Sequence, residues 1–131
     1  MQAGLLTSRE TQLAQAFRDV AARHAAEPDI AHLAQTLAAQ CDQHAARLEP
    51  FPEGGQVPEL LRDLQELYVR AAECELYWSV VLQLAQALRD EELTATATEC
   101  EKESALQCLW LKSRIKQAAP QALLVTPSGG R

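Results

Sequence analysis

The chain has 131 residues, nearly half of them apolar but only 5% aromatic, and alanine is abundant, a composition that favours closely packed helices over a sheet. A net charge of −6 argues against nucleic acid, an anionic membrane surface or an acidic protein as partner, since each would select a basic patch. No apolar run reaches the roughly 18 residues of a membrane span, and Met1 to Ser8 lacks the charged and apolar segments of a leader, so a one-domain cytoplasmic protein is expected.

Thr7 and Glu10 have the spacing of a capping box, which predicts a first helix entered near Thr7 with Leu13, Phe17, Val20 and His24 on its buried face. That helix ends before Pro28, which suits the first position of a second helix because its missing N–H costs nothing there. Ile30, Leu33, Leu37, Cys41, His44 and Leu48 supply the second helix's apolar stripe. The connection between the two is very short, so they are antiparallel neighbours, and pivoting the pair near Glu27 sets His44 opposite Glu10. His32 falls on the solvent side.

Glu49 to Pro58 reads EPFPEGGQVP, a loop by its prolines and glycines. Fully extended it could return the chain along a bundle, but ordinary bundle connections are shorter, which favours a simple up-down-up-down order. From Glu59 to Ala118 no glycine or proline occurs. Leu60, Leu64, Leu67, Ala71, Cys74, Trp78, Val81, Ala85 and Leu88 recur at alternating spacings of four and three, with Leu61, Tyr68, Glu75 and Leu82 widening the stripe on one flank. Leu93, Ala97, Cys100, Ser104, Cys108, Leu111 and Ile115 form a further stripe, widened by Leu106, Leu109 and Trp110. The break between these two helices belongs at Arg89 and Asp90, because Asp is a good N-cap and Glu91 and Glu92 then sit in a first turn, where the helix dipole favours negative charge.

The expected fold is therefore all-α, an antiparallel four-helix bundle of two helical hairpins, the second longer, filling residues 1–119. Residues 120–131 lose the periodic pattern and read as a flexible tail, in which Leu123, Leu124 and Val125 form a short apolar hook. The length mismatch leaves an apolar end of the long hairpin uncovered, which predicts a homodimer.

Cys41, Cys74, Cys100 and Cys108 each lie within a helix and form no C-x-x-C pair, so they read as small buried hydrophobes in a reducing compartment rather than as a disulfide scaffold or thiolate ligands. Glu75 is an acid on an otherwise apolar face. Pairing the long hairpin about its turn brings it level with Glu103, and an up-down-up-down order adds His24 to the same layer, with Glu99 nearby. These four residues form a candidate half-site for a divalent metal (Fe, Mn or Zn), weighed against a solvated charged face around Glu99, Glu101, Lys102 and Glu103. Nucleophile elbows and phosphate-binding glycine loops are missing from the sequence. Trp78 reads as core. Trp110, with Leu106 and Leu109, lies on a helix flank and is the candidate surface for a protein partner.

Two segments, HAAEPDIAHLAQTLAAQCDQHAARL and LYWSVVLQLAQALRDEEL, resemble in texture and placement the small bacterial ferritin-like four-helix proteins. That resemblance implies a four-helix scaffold, frequent oligomerisation and, in competent members, iron binding with oxidase chemistry. It carries no ligands across, because the family's Glu-x-x-His pattern is not matched by any Glu of this chain. The functional expectation is a non-catalytic helical binding or scaffold protein that self-associates. The alternative is a divergent ferritin-like metal-binding protein or oxidoreductase using Glu75, Glu103, His24 and Glu99, and a third reading places a small-molecule pocket between the helices. Inward-pointing acids mark the metalloprotein; an exposed Trp110 patch marks the binder.

Overall fold

The computed structural model describes residues 3–51 and 57–124. Among these residues the chain forms four α-helices and no strand: α1 (Ala3–Arg23), α2 (Pro28–Leu48), α3 (Glu59–Leu88) and α4 (Glu91–Leu124). They pair as two antiparallel hairpins, α1 with α2 and α3 with α4. The chain divides along the same line into two compact units, Met1–Gln56 and Val57–Arg131. The all-α class and the longer second hairpin match the reading of the periodicity.

In the short hairpin, α1 begins at Ala3, earlier than the Thr7–Glu10 spacing suggests. Thr7 thus lies inside the helix, where its carbonyl accepts a hydrogen bond from Thr11 Oγ1 at 2.9 Å. The turn is closed by the His24 N–H bonding Val20 O and the Glu27 N–H bonding His24 O, after which Pro28 opens α2 as expected. His24 is therefore exposed and beyond the end of α1, not on its buried face.

The seam between α1 and α2 is made of small residues. Ala14, Ala21, Ala34, Ala38 and Cys41 are buried, Ala14 and Ala38 completely, and Ala14, Ala38 and Cys41 form one cluster. Phe17 packs against this cluster. The larger side chains expected there, Leu13, Ile30 and Leu33, stay exposed. Of the expected stripes Phe17 and Cys41 do belong to the seam and Val20, Leu37 and Leu48 are half-buried, but the residues completely covered are alanines one position on from leucines, about 100° around the helix, where a small side chain lets the axes approach. Across the outer edges Arg18 pairs with Asp42, and His44 Nδ1 lies 3.1 Å from Glu10 Oε2, the contact that the antiparallel register predicts.

The long hairpin turns where expected. Arg89 adopts the left-handed conformation (φ 56°, ψ 36°), the Arg89 N–H bonds Gln86 O, and the Asp90 N–H bonds Ala85 O, which together form a Schellman ending without its usual glycine. Asp90 then caps α4 by accepting the Leu93 N–H at 3.0 Å, ahead of Glu91 and Glu92 in the first turn. On α4 the predicted stripe is the seam: Ala97, Ser104, Cys108 and Leu111 are buried, and Leu93, Cys100 and Ile115 half-buried.

On α3 the seam is rotated toward the flank. Leu61, Leu64 and Ala85 are buried, Tyr68, Glu75, Trp78 and Leu82 are half-buried, and Leu60, Leu67, Cys74 and Leu88 are left outside. The apolar arc of α3 is wider than a single helix can cover, so α4 takes one edge of it. At its C-terminal end α4 runs on through Pro120 to Leu124, past the point where the lost periodicity suggested a stop. Residues 52–56 of the loop and Val125 onward lie outside the described residues, as do the side chains of the expected hook. None of the described helices is long and apolar enough to cross a membrane.

Candidate functional site

The rotation of α3 opens a groove of about 630 Å³ along one side of the long hairpin. Its walls are Leu67 and Ala71 from α3 and Leu106 and Trp110 from α4, and its charged members are one of each sign, Arg70 on the α3 rim and Glu103 on the α4 rim. Helical spacing places these residues. Leu67, Arg70, Ala71 and Cys74 recur at three and four along α3, as do Glu103, Leu106, Gln107 and Trp110 along α4, so each set shares one face. Leu67, Leu106 and Trp110 are each more than half exposed, 51%, 56% and 60%. Large apolar side chains held open beside an apolar concavity are an anchor arrangement rather than a solvated face. Arg70 makes only a 3.9 Å contact with Glu66, one turn back, with both side chains well exposed, so its charge is available to a partner.

The residues singled out from sequence divide between this groove and other surroundings. Trp110 and Leu106 line it. Leu109 is 67% exposed on α4, about 100° around the helix from Trp110 and outside the groove. Glu103 is exposed at the rim, and Glu99 is exposed one turn nearer the hairpin turn. Glu75 has a different neighbour, the buried Cys108. Burial first, and then the Glu75 carboxylate, push the Cys108 thiol above its ordinary value. His24 belongs to the short hairpin, exposed at its turn. Among the described residues no group of three or more His, Cys, Asp or Glu side chains is arranged to hold a metal ion.

Two polar contacts of the long hairpin escaped the sequence reading. Ser79 Oγ donates to Glu101 across the hairpin, which draws one member of the acid-rich segment inward. Lys112 Nζ lies 5.7 Å from the centre of the Tyr68 ring, a cation–π contact. The cysteines are not uniformly buried either: Cys41 and Cys108 are buried, Cys100 is half-buried, and Cys74 is exposed. Burial and the neighbouring Glu10 raise the Cys41 thiol as well, so both buried thiols are neutral at physiological pH and poor nucleophiles. The groove thus offers apolar contact, two opposite charges and the exposed Cys74.

Comparison with family models, curated proteins and solved structures finds no match, so the reading of this site rests on the chain's own residues.

Proposed function

We propose that this chain is a non-catalytic binding or scaffold protein of ferritin-like build that works in the cytoplasm and associates through the open face of its long hairpin. The observation that carries this reading is the exposure of Trp110 and Leu106 beside an apolar groove, where a core tryptophan would be covered. The four unpaired cysteines support a reducing compartment. The buried thiols and the separate surroundings of Glu75 and Glu103 favour recognition over redox or metal chemistry.

The test uses the native cell. A benzophenone side chain replaces Gln107 in the groove, and in a second protein it replaces Gln83, which is nine residues from Cys74 and so on the opposite side of α3. Irradiation should give discrete protein adducts from position 107 and none from position 83. No adduct at 107, or the same products from both positions, contradicts the proposal.

A further inference from the structure

Whatever occupies the groove, we infer that the α3–α4 hairpin can open at Arg89 into one continuous helix and exchange its halves with a second copy, so that α3 of each chain packs on α4 of the other. Three observations lead there. The first is the hinge. Arg89 is the only non-glycine residue at positive φ among the described residues (φ 56°, ψ 36°), a region that the Cβ disfavours. Short connections that hold such strain are where helices exchange between copies.

The second observation is that the helix continues in phase through the turn. Trp78, Leu82 and Ala85 line the seam on α3, and Leu93, Ala97, Cys100 and Ser104 line it on α4. Their spacings of three and four run on across the break, with position 89 as the missing member, so turning Arg89 and Asp90 to helical values leaves one unbroken seam on one face. A hairpin alone does not require this. No glycine or proline occurs from Glu59 to Ala118, so nothing else in that stretch interrupts the joined helix. Opening replaces the bonds of the Arg89 N–H to Gln86 O and the Asp90 N–H to Ala85 O with the ordinary helical ladder, which also satisfies the free groups of both helix ends.

The third observation is register. Tyr68 and Lys112 are equidistant in sequence from position 90, and so are Ser79 and Glu101. A two-fold axis through position 90 therefore sets the same residues level between two antiparallel chains, and both contacts reform with α4 supplied by the other copy. The two forms then differ chiefly at residues 89 and 90. The Asp90 cap on the Leu93 N–H and closure within one chain favour the hairpin in dilute protein, while relief of the left-handed Arg89 favours exchange. Each end of the exchanged pair rebuilds the groove walled by Leu67 and Trp110, so one assembly carries it twice.

The experiment unfolds the full-length protein in urea, refolds it at ~0.5 mM and at ~5 µM, and separates the products by size-exclusion chromatography with light scattering. Concentrated refolding should give a species of twice the 14.4 kDa chain mass that survives dilution for hours, because exchange back requires opening both hairpins. Arg89→Gly should lower the dimer-to-monomer ratio at least ~10-fold, since glycine relaxes the turn and weakens the joined helix in both chains. Asp90→Ala, which removes the cap and adds a strong helix former, should raise it at least ~5-fold. Both residues are exposed, and circular dichroism checks that the variants fold. Chain origin is read with a benzophenone side chain in place of Tyr68, co-refolded with an excess of isotope-labelled wild type. In the dimer the α4 peptide joined to position 68 should carry the label. No dimer from concentrated refolding of either wild type or Asp90→Ala overturns the inference. So does a dimer indifferent to both substitutions, or one in which position 68 reacts only with its own chain.

Discussion

The two hairpins spend their apolar residues differently. In α1–α2 an almost pure alanine seam brings the helices close, and the edges between them are bridged by opposite charges, Arg18 to Asp42 and Glu10 to His44. In α3–α4 the seam holds leucines as well, and one edge is open, walled by Leu67, Leu106 and Trp110. Closing an edge with charges finishes a surface. In the long hairpin one edge is instead left apolar, with one charge of each sign at its rims.

Substitutions can break this contrast, beginning with the seams. Leu64→Ala removes a buried leucine of α3 and should cost about 2–4 kcal/mol by urea denaturation, while Leu67→Ala, one turn along on the exposed wall, should cost less than ~1 kcal/mol. Equal losses would mean that the groove wall is core. Ala38→Leu, at a fully covered site, should destabilise the short hairpin by about 1–3 kcal/mol through overpacking. At the turn of the long hairpin Arg89→Gly relieves a left-handed residue that carries a Cβ, and should stabilise by about 0.5–1 kcal/mol, read as a higher melting temperature. The smallest effect belongs to the short hairpin's edge: Arg18→Ala breaks an exposed pair and should change stability by no more than about 1 kcal/mol.

The thiols add a pH test of the same difference. In the folded chain Cys41 and Cys108 lie above the ordinary thiol value of 9.0, so the native state holds their protons after the unfolded state has lost them. Stability should therefore be level below pH 9 with respect to these groups and fall as pH rises from there through the folded values. Double substitution of Cys41 and Cys108 by Ala should flatten that fall in pH-dependent urea titrations. Below it, Cys74 should react with a thiol reagent well before either buried cysteine.

Much of this was legible in the residues, and the misses share a physical cause. Asp90 could be read as a cap because it precedes two acids and an apolar period, and His44 could be set against Glu10 because a short turn fixes the register of an antiparallel pair. The α4 seam was readable because its apolar arc is narrow. On α1, α2 and α3 the stripes were right in part, at Phe17, Cys41, Leu64 and Ala85, and missed the rest of the seam: an alanine contact is favoured by close approach, which hydrophobicity alone does not register, and a wide arc does not reveal which edge a partner helix will take. The flank position of Trp110 was visible in advance, but the groove next to it depended on the rotation of α3. The Glu75 and Glu103 pairing expected from helix level alone failed to anticipate that the two carboxylates take different surroundings, one at Cys108 and one at the groove rim.

The most direct test of the open groove as a recognition surface follows Trp110 itself. In a Trp78→Phe protein Trp110 is the only tryptophan, so its emission and its quenching by acrylamide report on the groove alone. The account predicts red-shifted, readily quenched emission from dilute protein. Emission that is blue-shifted and protected even at the lowest concentration would show Trp110 already buried within one chain, and would contradict it.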